Sequence, residues 1–268
     1  RPDAGTVRCR RSPLACFGRP PRKILRLMEE LYPSHTPDVV QDFLGLENLT
    51  GRAALTRLEN LKDEFSKLCK SLDAWVAEPP DWISVSEHHI RHVRVEDKRR
   101  VALAIKRCWQ RLTRRIRLAD GTELGHELKI DGISVGQLPA LTADFSHVSS
   151  LQFKNLYLGN DFNLFLEHFP SLRWLNLESA GLEQLPVAIG NMPHLTKLYL
   201  SGNRIALTPD TARVISRMST LKILELNDNP LGVVPDFTAL TDLRLLRLRN
   251  TRINHWPQGI ETLPELHT

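Results

Sequence analysis

The chain has 268 residues, of which 41% are hydrophobic and 25% are charged, and its formal net charge is +5. This is the composition of a soluble globular protein rather than a low-complexity chain. There is no apolar run of about 18 residues, which excludes a membrane-spanning helix. The four cysteines are Cys9, Cys16, Cys69 and Cys108. All four lie within the first 108 residues, and the remaining 160 residues have none. Cysteines confined to one part of the chain argue against a disulfide framework and favour a reduced environment.

Charge is divided unevenly along the chain. Residues 1–120 carry 24 Lys+Arg and 16 Asp+Glu, a net charge of +8, whereas residues 121–268 carry 12 and 15, a net charge of −3. The two regions therefore present different surfaces. We predict a disordered basic tail over residues 1–20, a helical region over 21–120 that caps a solenoid, and a repeat domain over 121–268.

Three apolar stripes with steps of three or four residues predict helices in the helical region. The first helix begins at Pro21 and ends before Pro33. The second covers residues 51–76, and the third covers residues 98–117 and is surrounded by Lys and Arg. We expect these helices to pack together and to cover the N-terminal end of the repeat domain, with Cys108 in the core.

The basic third helix allows a second interpretation, because a stripe of Arg can neutralise the phosphates of nucleic acid or anionic lipid. Aromatic side chains for base stacking are not interleaved with the arginines. Nucleic acid and membranes are therefore not the partners that we expect.

Two clusters have spacings that resemble metal sites. His88, His89 and His92 lack a Cys or carboxylate pair to complete a site, so a solvated polar linker is the favoured interpretation. Cys9 and Cys16 lack the two-residue spacing of a zinc knuckle and lie in a Pro- and Arg-rich stretch, which favours the disordered tail. We predict no metal site and no cofactor.

A repeated pattern dominates the second half of the chain. The frame L-x-x-L-x-L, followed by a turn residue, a Leu-Pro-like pair and Ile, begins at residues 172, 195, 221 and 243. Weaker units begin at 125 and 148, so that neighbouring units are 22 to 26 residues apart. This spacing is the period of leucine-rich repeats, whose coils stack around a shared leucine ladder.

The predicted fold class is α+β: an N-terminal α-helical region followed by a leucine-rich repeat solenoid of about six repeats, with a parallel sheet on the concave face. An insertion in the unit from 195 predicts a helical turn on the convex side. A seventh unit begins at Leu266 without a polar cap, which predicts a repeat domain truncated at its C-terminus. The alternative is a chain that frays and ends there.

Alternate strand residues face solvent on the concave side. They form three predicted columns: Ser150, Trp174, Lys197, Ile223 and Leu245; then Gln152, Asn176, Tyr199, Glu225 and Arg247; then Lys154, Glu178, Ser201, Asn227 and Arg249. The candidate contacts for a protein partner are Gln152, Trp174, Asn176, Lys197, Tyr199, Ile223, Glu225, Leu245, Arg247 and Arg249. Trp174 and Tyr199 are the expected anchors, and Arg247 and Arg249 can meet carboxylates. Alternatively, Trp174 packs beneath the N-terminal cap.

Several short sequence motifs resemble those of a known family. They include Arg107-Cys108-Trp109, Asp131-Gly132, Leu138-Pro139, Phe169-Pro170-Ser171-Leu172, Ser201-Gly202-Asn203-Arg204-Ile205 and Asn229-Pro230-Leu231. Over roughly residues 20–268, the chain resembles Gram-negative bacterial effectors that join a helical toxin-like region to leucine-rich repeats and carry a C-terminal novel E3 ubiquitin ligase (NEL) domain.

The resemblance implies a secreted bacterial effector that acts in the host cytoplasm, with the repeats recognising a host substrate. It also implies a catalytic cysteine in a Cys-x-Asp context after the repeats. Here the residues two positions after each cysteine are Arg11, Gly18, Ser71 and Gln110, so no catalytic residue is assigned. Ubiquitin and an E2 enzyme are expected as partners only through sequence after Thr268. The alternative is a non-enzymatic repeat scaffold, and the oligomeric state stays open.

Overall fold

The computed structural model describes residues 21–35, 51–79, 82–86, 89–133, 135–158, 162–253 and 255–263. The predicted tail with Cys9 and Cys16, and the unit that begins at Leu266, lie outside the described residues. The chain divides into two compact units, Arg1–Ser66 and Lys67–Thr268.

The first unit contains helix α1, Arg22–Leu31, and the first half of helix α2, Gly51–Ala77. Two ion pairs join the helices within this unit: Lys23 Nζ lies 2.9 Å from Glu59 Oε1, and Lys62 Nζ lies 2.7 Å from Glu30 Oε1. Because all four side chains are about half exposed, these pairs add little stability. The buried face of α1 carries four apolar residues, Ile24, Leu27, Met28 and Leu31.

The second unit begins with the last turns of α2, where Leu68, Leu72 and Trp75 are buried. The indole Nε1 of Trp75 donates to the carbonyl oxygen of Gln137 at 3.2 Å. Lys98 is only 3% exposed, and its Nζ donates to the carbonyl oxygen of Trp75 at 3.1 Å. An ammonium group at a helix C-terminus satisfies carbonyls that have no partner within the helix. These contacts fix the end of α2 on the elements that follow it.

A short hairpin stands where the sequence predicts a polar linker. Strands β1, Trp82–Ser86, and β2, His89–His92, pair in antiparallel register, with Trp82 opposite His92. The rings of these two residues meet edge to face with centroids 4.8 Å apart. The linker prediction is wrong because buried Ile83 and Val93 hold the hairpin against the rest of the unit. His88 lies outside the described residues.

Helix α3, Val95–Trp109, is shorter than the predicted helix over residues 98–117. Its apolar spacing continues in the sequence, but Arg111 takes a positive φ of 57°, which ends the helix,. Residues Arg115–Arg117 instead form strand β3, whose backbone pairs antiparallel with the next strand. The prediction is therefore wrong for residues 110–117, the last two-fifths of its length.

Among the described residues, seven strands form one sheet in the order β3-β4-β5-β6-β7-β8-β9. β3 pairs antiparallel with β4, and every later pair is parallel. The strands are β4 Glu123–Asp131, β5 Val148–Lys154, β6 Trp174–Asn176, β7 Lys197–Tyr199, β8 Ile223–Glu225 and β9 Leu245–Arg247.

A leucine ladder runs through the parallel sheet. Each strand places a leucine opposite the leucine of its neighbour, namely Leu128, Leu151, Leu175, Leu198, Leu224 and Leu246. The first five are 0% exposed and Leu246 is 8% exposed. Fully burying a leucine contributes roughly 2 kcal/mol, so the ladder is a principal source of stability. The ladder predicted from the repeats is confirmed.

Asparagine side chains close the turns that follow the strands. Asn203 is 5% exposed, and its Oδ1 accepts hydrogen bonds from the backbone N–H groups of Ala180 and Leu182 at 3.0 and 3.1 Å. Its Nδ2 donates to the carbonyl oxygens of Leu177 and Leu200 at 2.8 and 2.7 Å. One buried side chain therefore satisfies four backbone groups and ties two coils together.

The return side of the coils, opposite the strands, carries short helices. These are α4 Phe162–Leu166, α5 Pro209–Ser216 and the 3₁₀ helices Val187–Asn191 and Ile260–Thr262. The side-chain oxygen of Thr208 accepts from the backbone N–H of Thr211 at 3.2 Å, and the Thr211 hydroxyl accepts from the Thr208 N–H at 2.8 Å. This capping box starts α5, which confirms the helical turn predicted in the insertion.

Candidate functional site

The residues that alternate with the leucine ladder form three columns, which together make up the sheet face. The first column is Glu127, Ser150, Trp174, Lys197, Ile223 and Leu245, and the second is Lys129, Gln152, Asn176, Tyr199, Glu225 and Arg247. The third starts with the pair Asp131 and Lys154 and continues in sequence register with Glu178, Ser201, Asn227 and Arg249. The predicted cross-strand alignment of the first two columns is confirmed.

Strand β4 adds three members that were not among the predicted columns: Glu127, Lys129 and Asp131. The signal that identifies them is their alternation with buried Leu128 and Ile130,. This alternation is hard to recognise from the sequence because the first unit matches the repeat pattern poorly. Its first position is a glycine rather than a leucine, since an added Cβ on Gly125 would lie 2.5 Å from the carbonyl oxygen of His147.

Apolar side chains and one cation share the first column. Trp174, Lys197, Ile223 and Leu245 are all partly exposed. Lys197 Nζ lies 5.0 Å from the ring centroid of Trp174, and the Tyr199 ring lies 6.1 Å from that of Trp174. This contact covers one side of the indole with a cation. The column thus offers partly uncovered apolar area with a positive charge in the middle.

Ion pairs join neighbouring strands within the second column and within the third column. Lys154 Nζ lies 2.6 Å from Glu178 Oε2, which also accepts from Asn176 Nδ2 at 3.1 Å. Arg247 Nη1 lies 3.1 Å from Glu225 Oε1. The Glu225 carboxylate is thereby paired although its residue is 7% exposed. Buried charges require such partners.

Not every predicted contact residue faces solvent. Asn176 and Glu225 are 6% and 7% exposed, and Ser150 is fully buried. The prediction that all column members are open to solvent is wrong for these three. Their polar groups bond sideways to neighbours on the sheet, and Ser150 Oγ lies 3.5 Å from Glu127 Oε1. Gln152 donates to the same carboxylate oxygen at 2.6 Å.

Tyr199 lies in the middle of the sheet face. Its burial, and then the neighbouring carboxylates of Glu225 and Glu178, raise the pKa of Tyr199, while Arg247 opposes them. The phenol therefore stays protonated at neutral pH and can act as a hydrogen-bond donor. A donor at this position suits a carbonyl or carboxylate acceptor on a partner.

A histidine pair that was not predicted from the sequence lies at the start of the repeats. The rings of His126 and His147 are 5.8 Å apart, and His147 Nε2 donates to the carbonyl oxygen of Cys108 at 2.9 Å. Burial lowers the pKa of His147 to about 4 and also lowers that of His126. Both rings are therefore neutral at pH 7 and serve the packing of α3 on the first coil.

Neither described cysteine has the environment of a nucleophile. Cys108 is 0% exposed, as predicted for a core residue, and burial raises its pKa to about 12. Burial also raises the pKa of Cys69. Reactive cysteines need a lowered pKa and access to solvent. Both thiols are free.

An apolar cavity of about 640 Å³ lies next to β9 and is bordered by Leu246, Leu248, Ile253, Trp256 and Ile260. The sheet-face residues Asn227, Arg247 and Arg249 line it as well, so the cavity lies at the edge of the sheet face beside the last described coil.

The described residues contain neither a metal-binding cluster nor a membrane-spanning helix. In those ranges, no three His, Cys, Asp or Glu side chains come together in a group that could hold a metal ion. Among the helices that the structure describes, none has the length and apolar character needed to cross a membrane.

Comparison with solved structures identifies a similar fold. YopM from Yersinia enterocolitica matches with a TM-score of 0.50 and 17% identity, over 75% of this chain and 36% of YopM. The chain thus spans about a third of the length of YopM. At this identity the likeness shows the fold alone. Together with the stacked parallel strands β4 to β9, it makes the repeat region of the second unit a leucine-rich repeat solenoid.

Two further structures are similar over part of their length. A leucine-rich repeat protein of Leptospira interrogans has a TM-score of 0.38 and 22% identity, over 49% of this chain and 35% of that protein. The leucine-rich repeat domain of the type III effector XopL has a TM-score of 0.31 and 14% identity, over 76% of this chain and 92% of that domain. No protein-family model and no curated protein matches the chain.

Proposed function

We propose that the repeat region binds a protein partner across its sheet face, as the substrate-recognition part of a secreted effector-type E3 ubiquitin ligase that acts in the host cytoplasm. The observation that carries the binding role is the partly uncovered column of Trp174, Ile223 and Leu245 beside charged side chains. Protein interfaces typically place aromatic and aliphatic anchors within a polar rim.

The ligase part of the proposal rests on the sequence resemblance. It requires a nucleophilic cysteine other than Cys69 and Cys108, since burial raises the pKa of both thiols. The same observation favours the second candidate, a binding scaffold without enzyme activity. Incubating the natural full-length protein with ubiquitin, E1 and E2 separates the two candidates, because a ligase of this kind forms a reducible ubiquitin thioester and a scaffold does not.

A displayed library of random peptides tests the binding role. Peptides selected on the 268-residue chain should lose most of their binding to the Trp174→Ala and Tyr199→Ala variants. The matched control is Trp82→Ala, because Trp82 is 68% exposed and lies in the β1–β2 hairpin, which is a separate two-stranded sheet. Binding that survives both sheet-face substitutions, or that is lost equally in the control, contradicts the proposed function.

A further inference from the structure

The carboxylates of the sheet face are already satisfied by side chains of the chain itself. Glu127 accepts from Gln152, and Asp131 accepts from Asn155 Nδ2 at 3.0 Å. The other two are the ion-paired Glu178 and Glu225. A cation on an approaching partner therefore meets acids that already have donors.

The cations of the sheet face are not balanced in the same way. Within the part of the chain that the structure describes, Lys129, Lys197 and Arg249 form no ion pair with a carboxylate. Lys129 and Arg249 are exposed, and the group recorded beside Lys197 Nζ is the Trp174 ring. An approaching carboxylate therefore meets charge that is not yet neutralised, and this complementarity selects acidic partners.

Apolar area surrounds the middle cation. By register, Lys197 lies between Trp174 and Ile223, and Leu245 follows on the next strand. An apolar side chain that covers Ile223 would exclude water from Lys197 and strengthen its attraction to a carboxylate. The column thus favours an acid and an apolar side chain next to each other.

Sheet geometry sets the spacing of two acids. Lys197 and Arg249 are two strands and four residues apart along the strand direction, which is roughly 16 Å between their Cα atoms at ordinary sheet spacings. An extended segment covers that distance in about five residues. With one acid near each cation, Ile223 and Leu245 lie to one side of such a segment, within reach of its side chains.

We propose that the partner of the sheet face is an extended acidic segment, with an aliphatic or aromatic side chain on Ile223 and Leu245 and carboxylates on Lys197 and Arg249. This inference rests on the proposed function, because it names the chemistry of the partner at that same face. Tyr199 supplies a further donor between the two cations.

The test uses the peptides selected on the whole chain from a displayed library of random dodecapeptides. The selected pool should be enriched in Asp and Glu beside apolar residues, with acids about five positions apart. Lys197→Glu and Arg249→Glu should each weaken binding about tenfold or more. Arg217→Glu, an exposed charge reversal just after α5 on the return side, should leave binding unchanged.

A milder variant distinguishes loss of the positive charge from misfolding of the chain. Lys197→Met removes the charge while its aliphatic stem still covers the Trp174 ring. It should weaken binding severalfold and make it less sensitive to salt.

The possible outcomes distinguish failure of the acidic-segment inference from failure of the proposed binding function. Selected peptides that depend on Trp174 and Tyr199 but show no acidic enrichment, and that tolerate Lys197→Glu and Arg249→Glu, overturn the acidic-segment inference and leave the binding role intact. Peptides that are indifferent to Trp174→Ala and Tyr199→Ala, or a selection that yields no binder, contradict the proposed function and the inference with it.

Discussion

Lys197 Nζ lies 5.0 Å from the ring centroid of Trp174, on the next strand of the parallel sheet. Because both side chains are partly exposed, this cation–π contact contributes only about 0.5–1 kcal/mol,. Lys197→Met should therefore change the free energy of unfolding by less than about 1 kcal/mol, as measured by urea titration. A larger loss would mean that the lysine serves the fold rather than a partner.

Asn203 provides the strongest test of how the coils are held together. Its side chain makes four hydrogen bonds below 3.2 Å to backbone groups of two coils. Asn203→Ala leaves these buried groups without partners, so we expect a destabilisation of about 3 kcal/mol. Urea denaturation measures it.

The matched control for that substitution is Asn191→Ala, at the exposed end of a 3₁₀ helix. It should change stability by less than about 0.5 kcal/mol. Equal effects for the two variants would show that the buried amide does not hold the coils.

Two glycines separate backbone strain from steric contact. Gly259 and Gly232 have positive φ angles of 82° and 69°. An added Cβ on Gly259 would lie 2.3 Å from the backbone nitrogen of Thr238, whereas none of the described atoms lies within 4 Å of one on Gly232. Gly259→Ala should therefore lower Tm by several degrees more than Gly232→Ala. Equal decreases in Tm for the two variants would mean that the positive φ angle, and not the steric contact, accounts for the whole destabilisation.

The buried histidine pair predicts a pH dependence of stability. In the folded chain the pKa of His147 is about 4, below its ordinary value of 6.5, because burial disfavours the charged ring. The unfolded chain therefore binds the proton more readily, and stability falls as the pH decreases from about 7 toward 4. The loss attributable to this group is roughly 2 kcal/mol.

Comparison with His147→Gln isolates this effect, because glutamine can still donate to the Cys108 carbonyl but does not titrate. Arg111, His126 and Asp144 also influence the ring and stay in place in the variant. Urea titrations between pH 7.5 and 4.5 should show a shallower decline for the variant. Parallel declines in both chains would remove His147 as the cause.

The repeated part of the fold is predictable because every coil has the same pattern of leucine positions. Leu175, Leu198 and Leu224 occupy one position of one frame, so aligning the repeats aligns the strands. The sideways pairing of Glu225 with Arg247 is not visible in that frame, because it depends on how two side chains meet across neighbouring strands. Exposure therefore was harder to predict than register.

The region before the repeats has no repeated sequence pattern from which its strands could be aligned. The apolar spacing of α3 continues as far as Ile116, yet this residue pairs with Gly125 in the sheet. Backbone pairing overrides local helical periodicity at this point. The β1–β2 hairpin is missed for a similar reason, since its two short strands are stabilised by each other and by neighbouring elements,.

Site-specific cross-linking tests the central claim most directly. A benzoylphenylalanine at position 223, on the sheet face, is compared with one at position 187, where the valine is 51% exposed on the return side. Each chain is irradiated in extracts of eukaryotic cells and, separately, of bacteria. Discrete protein adducts at position 223 with none at position 187 are the predicted result. Adducts at position 187 alone, or equal adducts at both positions, would contradict binding through the sheet face.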